Sequence, residues 1–431
     1  MSKKNSEYKK GNNNPKVFYG LQQEIKFCNN CTYNNQKPNS EVEFKHKINT
    51  KKPIINFDKN NTCDACKFNK EKNKIDWEDR EKQLIDLCNK FRKNDGTYDC
   101  IVPGSGGKDS FFAAHILKYK YKMNPLTVTF APHIYTDWGW KNFQSWIAEG
   151  FDNYLFTPSK VTHRLLTRLA LENLFHPFQP FMIGQMLFPP KIALKLNIPL
   201  IFYGENPEDY GNKKNKTDTP SKDSKFFSTN EVDDFYISGL NKKELYDYGI
   251  TDNELIPYKP ITNKEKSQSN IDVQYLGYYL KWHPQENYYY TIENSNFIPS
   301  PERTPGTYSK YSSIDDKLDD LHYFTTYIKF GMGRATYDAA QEIRNGEINR
   351  EEGIKLVKQF DGEYPTRFEK ELFEYLSIDE KRFPKAFSKF KNPKMNRDYF
   401  FELAEKFRSP HLWYYSEKED EWKLRKTIFD K

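Results

Sequence analysis

The sequence predicts an α/β fold: a parallel sheet carrying an anion-binding loop, preceded by a cysteine module and followed by a mainly helical region. Three observations predict it. Tyr98–Val102 has strand character, Gly104 to Ser110 forms a glycine-rich turn, and Phe111–Leu117 continues with helical spacing. Strand-like and helix-like segments then alternate as far as Tyr203, the pattern of a parallel sheet covered on both faces. Ahead of these lie Cys28-Asn29-Asn30-Cys31 and Cys63-Asp64-Ala65-Cys66, two pairs at knuckle spacing.

Each segment has its own reason. Residues 1–18 are polar and rich in Lys and Asn, and are expected to form a flexible tail. Residues 19–75 hold the four cysteines, whose spacing favours a structural tetrahedral Zn²⁺ over disulfides, with a redox pair as the alternative. Thirty-one residues separate the pairs, more than an ordinary zinc ribbon has. Residues 76–235 are expected to form the sheet domain. A charged helix over Trp77–Arg92 leads into it, followed by strands at Leu126–Phe130, Asn153–Phe156 and Leu200–Tyr203. Helices are expected at 142–149, 161–173 and 185–196, and 211–230 reads as a polar excursion, either a closing loop or an ordinary solvated one. Residues 236–390 are mainly helical, with the clearest helices at 315–327, 335–345 and 350–359, and 391–431 form a C-terminal extension. Cys88 and Cys100 stand outside the pairs and are expected to be buried thiols.

Composition narrows the function. Thirty Tyr and 33 Phe in 431 residues supply a large core although only 37% of residues are hydrophobic. The 67 Lys and Arg are nearly balanced by 60 Asp and Glu, which argues against a large nucleic-acid footprint but suits an anionic small molecule. No apolar run approaches the roughly 18 residues of a membrane span, and Met1–Ser6 lacks the apolar core of a signal peptide. A cytoplasmic protein with no membrane partner is expected.

The loop Ser105-Gly106-Gly107-Lys108-Asp109-Ser110 is neither the Gly-x₄-Gly-Lys-Ser/Thr phosphate loop nor the Gly-x-Gly-x-x-Gly dinucleotide fingerprint. It resembles the SGGxDS signature of the PP-loop ATP pyrophosphatases, whose core is the adenine nucleotide alpha hydrolase-like sheet. Further segments narrow the resemblance to the N-acetyl sugar amidotransferases: Asn56-Phe57-Asp58 ahead of the second cysteine pair, Tyr135 to Asn142, Tyr203-Gly204-Glu205-Asn206 with Tyr210, Lys329 to Thr336, and Ile343 through Gly362. The likeness covers about residues 25 to 385. The stretch Thr32–Gln36, the head and the tail past 390 depart from it.

The resemblance implies ATP and Mg²⁺ as reactants, structural Zn²⁺, and conversion of the acetamido group of a nucleotide-activated N-acetyl sugar into an acetamidino group for surface glycans. An amide carbon resists ammonia because its oxygen leaves poorly; adenylating that oxygen, with release of pyrophosphate, makes AMP the leaving group. On this expectation Ser105, Gly106, Gly107, Lys108, Asp109, Ser110, Thr129 and Gly204 bind ATP and pyrophosphate. Lys108, Asp109 and Glu205 are catalytic. Asp109 takes the Mg²⁺, and Glu205 is a second metal ligand or orients the ammonia, a capping role being its plainer alternative. Asn206, Lys329 and Arg334 bind the substrate, simple solvated charges being the alternative for Lys329 and Arg334, and Cys28, Cys31, Cys63 and Cys66 bind the metal. Asp137 and Asn142 either face substrate or cap a helix. No N-terminal catalytic cysteine precedes Cys28, so a separate glutaminase subunit, with a barrel-like partner conducting ammonia, is the implied nitrogen source. The competing reading is a PP-loop tRNA-modifying enzyme, a thiolase or a lysidine-type ligase. No CxxC follows the loop to carry sulfur, and the charge balance lacks a tRNA-sized basic surface.

Overall fold

The computed structural model describes residues 5–212 and 219–430. Its centre is a parallel sheet of β1 (Cys100–Pro103), β2 (Pro125–Phe130), β3 (Asn153–Phe156), β4 (Leu200–Tyr203) and β5 (Asp272–Tyr275), in the order β3-β2-β1-β4-β5. Cys100 pairs with Pro125 on one side and Leu200 on the other, and Leu200 pairs in turn with Asp272. The chain leaves β1 toward β2 and β3, then returns to place β4 on the opposite side. That reversal opens a crevice at the carboxyl ends of β1 and β4.

Side chains alternate between two cores, as strand geometry requires. Ile101 and Ile201 enter a core on one face, with Leu165, Leu169 and Leu187; Val102 and Phe202 enter the other, with Phe111, Phe143 and Trp146. The first core is supplied by α5 (Lys160–Leu174) and α6 (Gln179–Leu196). The second is supplied by α2 (Trp77–Phe91), α3 (Lys108–Tyr119) and α4 (Asp137–Ala148), α1 being the Asp64–Lys72 helix of the cysteine module. Gly184 lets α6 lie close on the sheet, since a Cβ there would stand 2.2 Å from the Phe130 ring. Helix α6 begins earlier than its sequence pattern suggests. Pro180 sits harmlessly in the first turn, and the interior pair Pro189-Pro190 is buried against the core.

Beyond the sheet run α7 (Pro284–Asn294), α8 (Asp319–Phe330), α9 (Arg334–Asn345) and α10 (Arg350–Phe360). Three expectations change. The sheet takes its fifth strand from Asp272–Tyr275, so the boundary drawn at 235 falls inside the sheet domain. Residues 5–18 are packed: the Tyr8 hydroxyl donates to the Arg408 carbonyl at 2.9 Å, and Arg425 donates to the carbonyls of Glu7 and Lys9. Residues 1–4 of the expected tail lie outside the described residues. Of the polar excursion, 213–218 also lie outside them, while Lys222 N donates to Val273 O at 2.7 Å and runs along β5. Residues 391–430 likewise pack in place, through a helix over Arg397–Phe407 and a hairpin of Trp413–Ser416 with Glu421–Leu424. No helix among the described residues is long and apolar enough to cross a membrane.

Candidate active site and metal centre

The glycine-rich loop occupies the crevice that the sheet order opens. Gly106 adopts φ +88°, and a Cβ there would lie 2.7 Å from the Phe143 Cα, so both its conformation and its closeness to α4 require glycine. Gly107 then caps α3, whose first turn begins at Lys108 and aims its free amides at the crevice. Ser110 Oγ donates to Gly107 O at 2.9 Å. Lys108 is 5% exposed and pairs with Asp109, whose other oxygen accepts from Asn287 Nδ2 at 3.1 Å. Thr291 Oγ1 donates to Lys108 O at 3.0 Å, so α7 braces the loop from behind.

A cavity of about 810 Å³ extends from this loop, toward the upper end of the range for small-molecule sites. Ser105, Gly107, Lys108, Asp109 and Ser110 line one wall, with Gly204 and Glu205 at the end of β4 beside them. Burial, and then the neighbouring Asp109 carboxylate, push the Glu205 carboxyl up to about 7. Lys108 opposes the shift, as does the Tyr210 hydroxyl, which donates to Glu205 Oε1 at 2.7 Å. Gln341 Nε2 donates to that hydroxyl at 3.2 Å, linking α9 to the end of β4. Two carboxylates that repel each other beside an anion-binding loop are a donor set suited to a hard divalent cation.

The opposite wall comes from distant sequence. Arg334, Tyr337, Asp338 and Gln341 lie on one face of α9 and line the cavity. Arg334 is held by Asp338 at 2.8 Å and by the Tyr323 hydroxyl. Lys329 is 5% exposed, donates to Leu174 O at 2.7 Å, and is pushed down to about 7 by burial and by Lys52. Asp315, which the sequence did not single out, accepts a hydrogen bond from Ser105 of the loop. Its neighbour Asp316 positions it: the buried Asp316 carboxylate accepts from His133 N at 2.7 Å and Leu318 N at 3.0 Å. Asp319 is another residue the sequence leaves unmarked, while Tyr210 belongs to the resembling segment without an expected role; burial together with Asp316 and Asp315 pushes the Asp319 carboxyl well up.

Three expected ligand contacts are not brought to the cavity, Gly106 being turned against α4. Thr129 is buried in β2, its hydroxyl accepting from Asn153 Nδ2 at 3.0 Å. Asn206 is 2% exposed and caps the short turn Pro207–Tyr210 by accepting from Glu208 N at 3.3 Å. Asp137 is exposed, Thr136 being the actual cap of α4, while Asn142 exchanges hydrogen bonds of 2.8 Å with the Ile298 backbone.

The four cysteines of the N-terminal module are buried, with their Sγ atoms all within 4.8 Å of one another. Cys28 to Cys66 is 3.8 Å and Cys31 to Cys63 is 3.7 Å. A metal about 2.3 Å from each sulfur of a tetrahedron requires sulfurs close to that far apart, so the residues fit Zn²⁺. Arg350 of α10 donates to the carbonyls of Cys31 and Cys28 at 3.3 and 3.0 Å, and Thr32 Oγ1 donates to Thr336 O at 2.8 Å. The module is therefore seated on α9 and α10. Cys88 and Cys100 are fully buried, and burial pushes both thiols up, Cys88 to about 12.

Residues 305–428 match the family described as LPS biosynthesis protein WbpG-like, C-terminal domain. The match fits the N-acetyl sugar amidotransferase likeness and corrects its extent, because it continues past 390 through the C-terminal hairpin. An uncharacterized protein of Methanocaldococcus jannaschii is 39% identical over 83 residues, which span 19% of this chain and 29% of that protein.

Proposed function

Taking the WbpG-like C-terminal region as the premise, we propose that the protein acts in surface polysaccharide biosynthesis as an ATP-dependent amidotransferase acting on a nucleotide-activated N-acetyl sugar. The observation that carries this reading is the cavity itself. It joins the SGGKDS loop to Arg334, Asp338 and Gln341, residues of the matched C-terminal region, in one space large enough for a nucleotide and a second ligand.

The acetamido oxygen attacks the α-phosphorus of ATP; the bond to the β-phosphate oxygen breaks and pyrophosphate leaves. Ammonia then adds to the activated carbon, the carbon–oxygen bond breaks, and AMP departs with the former amide oxygen. The product is an amidine, protonated at neutral pH. The α3 amides, Ser105, Lys108 and Ser110 hold the leaving pyrophosphate. Mg²⁺, held by Asp109 with Glu205 close by, would neutralise phosphate charge. Glu205, poised near neutrality, takes a proton from the attacking ammonia. Asp315 fixes the Ser105 hydroxyl. Lys329 and Arg334 face the sugar nucleotide from the far wall, and a separate glutaminase subunit, with a barrel-like ammonia conduit, would supply the nitrogen.

Mass spectrometry of the protein with ATP, Mg²⁺, ammonium and a panel of nucleotide-activated N-acetyl sugars tests the proposal. The expected product has an oxygen replaced by NH and forms together with AMP and pyrophosphate. AMP release that depends on tRNA and not on any sugar would overturn it in favour of RNA modification.

A further inference from the structure

We propose that Lys37, a residue of the cysteine module, binds an oxyanion of the sugar-nucleotide substrate, so that the metal module forms part of the substrate site. The inference rests on the function proposed above.

Lys37 is only 2% exposed, yet it lines the cavity. Its ammonium donates to the carbonyl of the adjacent Pro38 at 3.2 Å and lies 5.6 and 5.9 Å from the ring centres of Tyr33 and Tyr337. Among the described residues no carboxylate stands within ion-pair distance of it. Of the other buried cations nearby, Arg334 is paired with Asp338 at 2.8 Å, Lys72 with Asp209 at 2.8 Å, and Lys52 with Glu41 and Glu43 at 3.6 Å each, whereas Lys329, like Lys37, donates to a backbone carbonyl. A buried ammonium without an anion is costly, and the cost falls when a ligand brings the anion.

The module's own negative charge has other partners. Four thiolates on a divalent metal carry excess negative charge, and Arg344 and Arg350 approach the module from α9 and α10. Arg344 lies 5.0 Å from the Tyr33 ring centre, and neither arginine lines the cavity. Lys37 also feels the charge of Cys63 and Cys31, but of these three cations it alone lines the cavity. It lies 5.9 Å from the ring centre of Tyr337, which shares its α9 face with Arg334 and Gln341. Its wall continues through Ser40, whose amide donates to Asn212 Oδ1 at 2.8 Å. The chemistry recognised is an oxyanion, either a carboxylate on the sugar or the diphosphate joining sugar to nucleoside.

The test is direct binding, measured calorimetrically with UDP-N-acetylglucosamine, with its uronic-acid counterpart, and with ATP·Mg²⁺, on wild type, Lys37→Met and Lys37→Arg. Loss of a charged hydrogen-bond donor predicts about ten- to a hundredfold weaker sugar-nucleotide binding in Lys37→Met. ATP binding is expected to change less than about twofold, because the loop lies on the other wall. Lys37→Arg is expected to recover most of the loss. A defect confined to the uronic-acid ligand identifies the carboxylate, and an equal defect for both identifies the diphosphate; either supports the proposal. Lys37→Gln, which keeps a polar tip, carries the same expectation and serves if the Met variant fails to retain zinc. Unchanged sugar binding in a zinc-loaded variant, or an equal loss for ATP, overturns this inference alone. Wild-type protein that binds ATP but neither sugar nucleotide overturns the proposed function and this inference with it.

Discussion

The two walls of the cavity present similar chemistry but are assembled in opposite ways. The loop wall is contiguous: six residues after one strand supply hydroxyls, amides, a lysine and an aspartate, and the following helix aims them. The far wall gathers Lys37, Lys329, Arg334 and Gln341 from segments that meet only in the folded chain, partly through the seating of the cysteine module on α9 and α10. A contiguous wall depends on local backbone geometry. An assembled wall depends on whatever clamps its parts together, and here one clamp is the buried four-cysteine cluster, which fits a metal.

Removing that clamp is the largest expected perturbation. Binding energy at a structural zinc is folding energy, about 10 kcal/mol or more in small zinc domains. Cys63→Ser, or a strong chelator, is expected to lower the thermal midpoint and to abolish stoichiometric zinc. Sugar-nucleotide affinity should fall with the metal while residual ATP binding outlasts it. Simultaneous loss of both would show that the walls are not separable. A chain that carries no zinc as purified would break the comparison outright.

On the loop wall, Asp109→Asn keeps the shape and removes the charge. A loss of about a hundred- to a thousandfold in AMP and pyrophosphate release is expected, comparable to removing one preorganised transition-state contact. The thermal midpoint should fall, because the buried Lys108 loses its carboxylate partner while Asn287 keeps an acceptor, so ligand binding is read well below the midpoint of the variant. Near-normal turnover would remove Asp109 from the site.

Glu205 joins the two walls, and its titration sharpens the comparison. Its carboxyl is raised from the ordinary 4.5 to about 7 in the folded chain, so the native state holds the proton more tightly than the unfolded one. Its stabilising contribution is complete below pH 4.5 and is lost as pH rises through about 7. Glu205→Gln should therefore gain stability relative to wild type across that window, as read by denaturant midpoints at a series of pH values. Activity behaves in the reverse sense, because a base must be ionised. Wild-type turnover should rise with pH as Glu205 ionises, at a lower pH than in the metal-free chain because Mg²⁺ at Asp109 favours the carboxylate, and the variant should be slower by about a hundredfold without that limb. In Asp109→Asn without Mg²⁺ the repelling charge is gone, so the Glu205 stability transition should move to lower pH. A transition at an unchanged pH would mean another group is responsible.

The difference between the walls also explains what the sequence revealed. The strand–loop–helix unit and the paired cysteines are short-range patterns, and both lie in the structure where their spacing predicts. Strand β5 escaped because Asp272-Val273-Gln274-Tyr275 is brief and half polar, and only pairing with β4 makes it a strand. Asp315 escaped because its place depends on Asp316 reaching His133, residues far apart in the chain. Residues 5–18 read as a loose tail because their partners, Arg408 and Arg425, lie near the other end. Long-range contacts leave no periodicity in sequence.

The smallest prediction separates proximity from contact. Asn206 stands next to Glu205 in sequence and was expected to touch phosphate or sugar, but its side chain turns inward and caps Pro207–Tyr210. That turn carries Tyr210, the donor to Glu205. Asn206→Ala is thus expected to cost about 1 kcal/mol of stability through the lost cap. Affinities for ATP and for the sugar nucleotide should stay near wild type, and any effect on turnover should appear as a shift of the Glu205 pH limb through a displaced Tyr210. A selective loss of affinity for either ligand would instead place the Asn206 amide in the cavity and undo the assignment of this position to the scaffold.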